Sequence, residues 1–317
     1  MPQIPYLDAA QLDRLLDYPS LVDALRDGFA ADWTVPVRHH YSIPIKGEPD
    51  QTLLLMPAWD AGEAIGMKLA TITPGNGARG LPAVNAVYLL VDGPTGQPRA
   101  LMDGACLTVR RTAAASALAA RYLARKNASV MLMVGAGALS RPFIEAHRSQ
   151  HPITRVMLWA RKEEQRAAKA KELNALGLPV EPVADLEQAA RAADIITCAT
   201  LSTTPLIKGA WLRPGTHLDL VGAFTPEMRE SDDEAVKRAS LFCDTRAGAL
   251  KEGGDLVIPL KAGIITEAAV KAELAELARG QHKGRASDQE ITLFKSVGTA
   301  VEDFAAARLA MAKIGHA

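Results

Sequence analysis

Lys68 is the first residue whose type and setting allow proton transfer near neutral pH. It lies in an apolar run, residues 65–71, where strand alternation places Lys68 on one face with Ala70, while Met67 and Leu69 face the other way. A lysine in such a run lies either in water at the edge of a sheet or in a pocket. In a pocket, burial lowers the pKa of the ammonium group, which can then donate or accept a proton near neutrality.

Three further residues offer guanidinium groups to an anion. Arg110 and Arg111 fall near the start of a predicted helix, residues 108–123. Because adjacent helical residues point about 100° apart, at most one of the two faces a given site. A cation at a helix N-terminus opposes the helix dipole and needs a compensating anion, so a bound carboxylate or phosphate and a solvated helix start both remain open. Arg38 lies on a loop or strand end, where it is either an anion ligand or a surface arginine.

A glycine-rich turn follows the apolar run at residues 129–134. It reads Gly135-Ala136-Gly137-Ala138-Leu139-Ser140 and opens a helical segment. In such a GxGxxS turn, the first glycine allows the tight turn, the second lets a pyrophosphate approach the backbone, and the small sixth residue lets helix and strand pack closely. A purely local glycine turn is the alternative.

The elements around this turn favour a nucleotide-binding unit. An apolar run at 155–159 is the second strand of a βαβ unit, and further strand and helix signals alternate after it. These signals are strands at 180–183, 195–200 and 218–221, and a helix at 185–193. Such alternation predicts an α/β fold with a Rossmann-type parallel sheet covered on both faces.

The tip of the second strand indicates which dinucleotide is bound. It reads Trp159-Ala160-Arg161-Lys162, with two cations and no carboxylate. An NAD site usually places Asp or Glu here, whereas a guanidinium suits the 2′-phosphate of NADP. The sequence therefore predicts NADPH, with NADH possible but weaker. The alternative is that Arg161 and Lys162 only begin a solvated helix.

The residues before the turn form a separate α+β part. Helical spacing from Leu12 to Phe29 is interrupted at Tyr18-Pro19-Ser20, which predicts a turn with Ser20 as the cap of a second helix. The other predicted elements are strands at 51–56, 65–73 and 83–91, a hairpin turn at 92–96, the helix at 108–123, and a C-terminal helix at 296–312 that returns to this part.

Composition excludes several classes of function. The 317 residues carry 36 basic and 36 acidic side chains, which gives no electrostatic argument for nucleic acid or an anionic membrane as partner. The three cysteines lack zinc-site spacing and indicate reduced thiols, and His39 and His40 face opposite ways on an extended chain, so no metal site is predicted. No secretory signal or membrane span is apparent, and a cytoplasmic location is expected.

Six stretches together resemble the ornithine cyclodeaminase and mu-crystallin family. They are Gly66-Met67-Lys68, residues 107–114 (LTVRRTAA), the Gly135-Ala136-Gly137 turn, residues 211–217 (WLRPGTH), Val221-Gly222-Ala223, and residues 294–303 (FKSVGTAVED). The resemblance implies a homodimer with two domains per chain. Residues 1–113, with a returning helix at 300–317, bind substrate and form the subunit interface. Residues 114–299 form the Rossmann NADP-binding domain.

The resemblance also implies roles for single residues. The positions of Arg38, Lys68 and Arg111 hold the substrate carboxylate beside the nicotinamide, and Lys68 is also the best acid–base candidate. The positions that line the cofactor are Arg111, Thr112, Gly135, Ala136, Gly137, Ala138, Leu139, Ala160, Arg161, Lys162, Thr200, Leu201, Val221 and Ser296.

One departure from the family pattern chooses among its activities. Ornithine cyclodeaminases carry an Asp, in a GGDCPGKTEL-like stretch, that holds the distal amine of ornithine, and Phe224 stands in its place here. Residues 221–230 instead resemble the family's imine reductases, including ketimine reductases. The predicted activity is NADPH-dependent reduction of Δ1-pyrroline-2-carboxylate or Δ1-piperideine-2-carboxylate to L-proline or L-pipecolate. The alternatives are a cyclodeaminase or hydroxyproline dehydratase, an alanine-type dehydrogenase, and a non-catalytic protein that binds NADPH and a small ligand.

Overall fold

The computed structural model describes residues 4–314, which form two compact units. The first unit takes in the described residues up to Thr112 and those from Thr299 onward, and the second is Ala113–Gly298. The sequence prediction places these boundaries at 113/114 and 299/300. Residues 1–3 and 315–317, the latter at the end of the predicted returning helix, lie outside the described residues.

The first unit holds a six-stranded sheet and the helices that pack on it. Its elements are β1 (Tyr6–Leu7), α1 (Ala9–Leu15), α2 (Tyr18–Ala30), β2 (His39–Ile43), β3 (Gln51–Asp60), β4 (Ala64–Ile72), a 3-10 turn (Pro74–Arg79), β5 (Val84–Asp92), β6 (Pro98–Asp103), the start of α3 (Gly104–Leu123) and the final helix α11 (Ala300–Ile314). The strand order is β1-β6-β5-β4-β3-β2, antiparallel except for the parallel pair β1 and β6.

The two faces of this sheet differ in burial. In β4, Gly66, Lys68 and Ala70 are buried, whereas Ile65 and Leu69 on the other face are exposed. Helix α11 packs on the buried face over β3 and β4, and it also contacts α2. The alternation in sequence therefore marks one face that is covered by helices and one that is open.

Local structure in the first unit corrects three predictions. The cap of α2 is Asp17, which accepts a hydrogen bond from the Ser20 amide at 3.0 Å, so the cap lies three residues before the predicted one. β3 continues four residues past the predicted end at residue 56. α3 begins at Gly104, so Arg110 and Arg111 lie in its second turn and not at its N-terminus. The predicted hairpin turn at 92–96 is confirmed between β5 and β6.

The second unit is an eight-stranded parallel sheet with connecting helices. Its elements after α3 are β7 (Val130–Val134), α4 (Ser140–Gln150), β8 (Arg155–Trp159), α5 (Glu163–Ala175), β9 (Val180–Pro182), α6 (Leu186–Ala192), β10 (Ile195–Cys198), a 3-10 turn (Gly209–Trp211), β11 (His217–Leu220), α7 (Asp233–Arg238), β12 (Ser240–Cys243), α8 (Arg246–Glu252), α9 (Gly254–Lys261), a 3-10 turn (Glu267–Ala269), β13 (Val270–Glu273), α10 (Leu274–Ala278) and β14 (Thr292–Lys295). The strand order is β13-β12-β14-β11-β10-β7-β8-β9, which confirms the predicted fold class.

The core of the second unit explains its strand sequences. β7, β10 and β11 have buried residues along almost their whole length, because helices cover a parallel sheet on both sides. Their side chains join one apolar cluster that includes Leu132, Ile196 and Leu220. Between residues 4 and 314, no helix is long and apolar enough to cross a lipid bilayer.

The ends of two elements differ from the prediction. β10 stops at Cys198, two residues early, so Thr200 lies in the loop that follows it. The last helix begins at Ala300 and not at Ser296. Ser296 therefore belongs to the loop after β14, where its hydroxyl donates to Asp244 at 3.1 Å.

Candidate cofactor cleft and buried charge cluster

The glycine turn after β7 has a geometry that only glycine allows at its first position. Gly135 has φ of +120°, and its amide donates to the Trp159 carbonyl at 2.9 Å. A Cβ on Gly135 would lie 2.8 Å from the Ala199 carbonyl oxygen. The turn therefore passes closely between the ends of β8 and β10 because it carries no side chain there.

The second glycine faces open space. A Cβ built on Gly137 would meet no atom within 4 Å. α4 begins three residues later at Ser140, and its N-cap residue Leu139 offers no side-chain cap. The Ser140 amide donates to the Gly137 carbonyl at 3.2 Å and Pro142 has no N–H, so an anion such as a pyrophosphate would approach the backbone of the turn before α4.

A cleft opens above this turn at the carboxyl edge of the parallel sheet. Its volume is about 370 Å³. The lining residues, which define the glycine-turn cleft, are Gly135, Ala136, Gly137, Trp159, Ala160, Arg161, Lys162, Gln165, Ala199, Thr200, Leu201, Ser202 and Leu206. These residues lie at the ends of β7, β8 and β10. From β7 the chain continues to β8 on one side and later returns to β10 on the other side, so the order of strands reverses here. Ligands of open α/β sheets bind at such a switch point.

The cleft brings together eight of the predicted cofactor residues, namely Gly135, Ala136, Gly137, Ala160, Arg161, Lys162, Thr200 and Leu201. Ala138 and Leu139 complete the turn but do not line the cleft. Val221 and Ser296 follow β11 and β14 at the same edge of the sheet, and both are buried. Arg111 and Thr112 belong to the first unit.

The tip of β8 carries the two predicted cations at the mouth of the cleft. Arg161 and Lys162 are exposed, and no residue lining the cleft is acidic. Gln165, in the first turn of α5, also lines the cleft and was missed by the sequence reasoning. Its position in the first turn of the helix that follows Arg161 and Lys162 was the available signal.

Lys68 is buried in the first unit on a central strand. β3 and β5 flank β4, so the alternative of an edge lysine in water is wrong. The Lys68 ammonium lies 2.9 Å from Oδ1 and 2.7 Å from Oδ2 of Asp303. It also donates to the Thr108 hydroxyl at 3.3 Å. The pocket alternative for Lys68 is the one that the structure supports.

Arg111 joins the same group of charges. Its Nε donates to Oδ1 of Asp303 at 2.9 Å, and one terminal nitrogen pairs with Glu302. Lys68, Arg111, Glu302 and Asp303 are all buried and constitute the buried charge cluster. Arg110 points elsewhere, to the Leu16 carbonyl and Asp13. The expectation that only one of the two arginines faces a given site is confirmed.

The compensating anions were not assigned from sequence. Glu302 and Asp303 open α11 and stand in the FKSVGTAVED stretch, but the sequence reasoning gave them no role. A cation in α3 was expected to need a nearby anion, and these two carboxylates are that anion. Arg111 was expected at the N-terminus of the helix, but it lies in the second turn of α3.

Charge and burial act against each other in this cluster. The pKa of Lys68 is lowered to about 8, chiefly by burial; Asp303 acts in the opposite direction, and Arg111 adds to the lowering. Burial also lowers the pKa of Arg111, but Asp303 and Glu302 outweigh it and raise that pKa above its ordinary value. Arg111 therefore stays charged, while Lys68 can exchange a proton near neutral pH.

The remaining predicted residues lie on or directly before β2, the strand at the edge of the sheet. Arg38 immediately precedes β2 and is half-buried. β3 separates β2 from β4, which carries Lys68. His39 and His40 are both exposed in β2. Among the residues that the structure describes, no group of three or more His, Cys, Asp or Glu side chains could hold a metal ion.

Comparison with known proteins gives consistent matches along the chain. Residues 12–316 match the model of the ornithine cyclodeaminase/mu-crystallin family. Protein SAR DEFICIENT 4 of Arabidopsis thaliana is 37% identical over 96% of this chain and 95% of its own length. Delta(1)-pyrroline-2-carboxylate reductase of Paracoccus denitrificans is 38% identical over 90% of this chain and 89% of its own.

A solved structure extends the likeness to three dimensions. The Delta(1)-pyrroline-2-carboxylate reductase of Thermococcus litoralis, in complex with NADH and L-proline, superposes with a TM-score of 0.91 at 35% identity. The match covers 99% of this chain and 98% of that structure. The chain belongs to the ornithine cyclodeaminase/mu-crystallin family.

Proposed function

We propose that the protein is an oxidoreductase that reduces the C=N bond of a cyclic imine carboxylate with a nicotinamide cofactor. The substrates proposed are Δ1-pyrroline-2-carboxylate and its six-membered homologue Δ1-piperideine-2-carboxylate, and the products are L-proline and L-pipecolate. The class of reaction is the one named for the Paracoccus and Thermococcus relatives. The observation that carries the proposal is the buried Lys68 ammonium, which Asp303 holds beside Arg111.

The buried charge cluster suits an anionic substrate that must be protonated. Arg111 uses Nε and one terminal nitrogen on its two carboxylate partners, so its second terminal nitrogen has no hydrogen-bond partner among residues 4–314. In the proposed reaction this nitrogen and Arg38 bind the substrate carboxylate, which orients C2 of the ring. Lys68 holds a proton on the imine nitrogen, because an iminium carbon accepts hydride more readily than a neutral imine.

The glycine-turn cleft fits a dinucleotide. Gly137 leaves room where a Cβ would otherwise project, so a pyrophosphate can approach the backbone of the turn that leads into α4. A reduced nicotinamide, when bound, supplies the hydride. NADPH is the proposed cofactor, since Arg161 and Lys162 line the mouth of the cleft without an acidic neighbour in its lining. NADH is proposed as a weaker alternative.

The proposed assembly is a homodimer formed through the open face of the first unit's sheet. This face carries large apolar residues from three adjacent strands, including Leu55 of β3, Leu69 of β4 and Val87 of β5, which stand opposite one another in register. No charged residue of β3, β4 or β5 shares the face with them between residues 53 and 91. An uncharged apolar face suits a second copy of the same surface. The proposed location is the cytoplasm, in keeping with three free cysteines.

The experiment that tests the activity follows the absorbance of reduced cofactor at steady state. NADPH and NADH are each supplied with pyrroline, piperideine and thiazoline carboxylates, and ornithine, hydroxyprolines and pyruvate with ammonium are the comparison substrates. We expect oxidation of NADPH with the cyclic imines. Turnover of ornithine or a hydroxyproline without net NADPH use identifies a lyase instead. A rate that rises with ammonium identifies an amino-acid dehydrogenase, and cofactor binding without any oxidation identifies a non-catalytic protein.

A further inference from the structure

Glu230 is a fully buried carboxylate that bonds to two separate loops beside the glycine-turn cleft. Its Oε1 accepts hydrogen bonds from the Thr200 amide and the Thr200 hydroxyl, both at 2.7 Å. Its Oε2 accepts from the amides of Gly222 and Ala223 at 2.8 and 3.3 Å. One side chain therefore connects the loop after β10 with the loop after β11.

The backbone of the same residue holds the far end of the first loop. The amides of Leu206 and Ile207 both donate to the Glu230 carbonyl at 2.9 Å. Thr200 and Leu206, which both bond to Glu230, line the cleft. Leu201 and Ser202, which lie between them in sequence, line it too. Glu230, which does not line the cleft, therefore bonds to both ends of the segment 200–206.

The two loops also approach each other unusually closely. A Cβ on Gly222 would lie 2.0 Å from the Thr200 carbonyl oxygen and 2.6 Å from Oε1 of Glu230. Only glycine fits there, so the backbones of Gly222 and Thr200 lie in close contact. The Glu230 carboxylate bonds to both residues and holds them in this position.

No cation pairs directly with Glu230 among the described residues. The nearby Lys295 ammonium donates instead to Oδ2 of Asp255 at 3.2 Å, while Oδ1 of Asp255 accepts from the amides of Glu230 and Ser231. Glu230 accepts four hydrogen bonds, three from loop amides and one from a hydroxyl. Its carboxylate therefore holds the loops and does not form an ion pair.

We propose that Glu230 is a positioning residue for the cofactor, which sets the shape of residues 200–206 so that they can line the bound dinucleotide. The inference rests on the proposed use of the glycine-turn cleft as the cofactor site. Glu230 itself touches no cofactor in this proposal. Its loss therefore weakens cofactor affinity through Thr200.

The protonation of Glu230 provides a distinguishing readout. Its pKa is raised to about 7, chiefly by burial; Asp255 of α9 adds to this rise, whereas Lys295 of β14 and the bonds from Thr200 oppose it. The thiol of Cys198, at the end of β10, also faces this group. A protonated carboxyl would turn one acceptor into a donor facing other donors. Cofactor affinity should therefore fall as pH drops below about 7.

The test compares Glu230→Gln with Glu227→Gln. Glu227 is an exposed acid three residues away, so its variant makes the same change in charge outside the cluster. Dissociation constants for NADPH and NADH are measured by nicotinamide fluorescence between pH 6 and 8.5. We expect Glu230→Gln to bind both cofactors about tenfold more weakly at pH 8, because its amide group cannot accept from the second loop.

The pH series separates positioning from general destabilisation. The wild type and Glu227→Gln should lose cofactor affinity below about pH 7, whereas the affinity of Glu230→Gln should not show this loss. Any pH dependence that Glu230→Gln retains comes from titration of the cofactor itself. Equal affinity of Glu230→Gln and the wild type at pH 8 overturns the inference. A wild type that binds neither cofactor overturns the proposed function instead.

A second variant covers poor folding of Glu230→Gln. Thr200→Val removes one hydroxyl donor to Glu230 and keeps the shape of the side chain. It should bind cofactor about three- to fivefold more weakly. Wild-type affinity in this variant also overturns the inference.

Discussion

At the scale of single residues, the chemistry depends on how the protein sets the protonation of Lys68. Burial would by itself favour the neutral amine, and Asp303 offsets this effect, leaving a pKa of about 8. An ammonium group with this pKa is charged at pH 7 and still releases its proton readily. An ordinary surface lysine would hold its proton too tightly for such a role.

The role of Lys68 predicts both a pH profile and a variant. If the protonated form is active, kcat/KM falls as the pH rises through about 8, because Lys68 loses its proton there. Lys68→Met should lower kcat about 10²- to 10⁴-fold, the usual contribution of a general acid. Lys171→Met, at an exposed position in α5, is the matched control and should keep full activity. Steady-state rates from pH 6 to 10 check both points, and near wild-type turnover in Lys68→Met would remove it from the mechanism.

Cofactor choice is also a property of single residues. Arg161→Ala should raise KM for NADPH about tenfold or more and leave KM for NADH nearly unchanged, because only the 2′-phosphate uses the guanidinium. Arg155→Ala removes an arginine from the other end of β8, where it pairs with Glu181, and serves as the control. The ratio of kcat/KM values for the two cofactors is the measurement. An equal preference for both, unchanged in Arg161→Ala, would contradict the NADPH assignment.

At the scale of elements, the glycine turn joins β7 to α4 where β8 and β10 leave little space. Gly135→Ala would put a methyl group 2.8 Å from the Ala199 carbonyl on a backbone with φ of +120°. The turn must then shift, and we expect a large loss of cofactor affinity together with a lower Tm. Gly177→Ala makes the same change at φ of +76° in open space. It should lower Tm slightly and leave cofactor affinity intact, as fluorescence titration and thermal melts can show.

Elements with a strong local signal could be predicted from sequence. The residues that the functional side chains contact across the fold could not. β8 is confirmed over residues 155–159 because a buried parallel strand is a continuous apolar run. The predicted start of α3 was wrong by four residues, because the helix-start signal is Asp103, whose carboxylate accepts from the Cys106 amide at 2.8 Å and which the prediction did not use.

The site shows the same division. The glycine turn is local, and its cleft contains most of the residues predicted for it. The link from Lys68 to Asp303 spans 235 positions and exists only once α11 packs on β4. Periodicity could place Lys68 on a face of a strand, but only tertiary structure shows which carboxylate stands across from it.

At the scale of the whole molecule, the open sheet face of the first unit predicts the assembly. Leu69 is 40% exposed at the centre of this face, opposite Leu55 and Val87. In a two-fold dimer each substitution occurs twice at one interface, so Leu69→Glu would place two carboxylates on an apolar surface. The control is Leu176→Glu, at an exposed leucine in the second unit. Light scattering after size exclusion should give two chains per particle for the wild type and the control, and one for Leu69→Glu. A dimer of unchanged stability in Leu69→Glu on dilution would place the subunit interface on another surface.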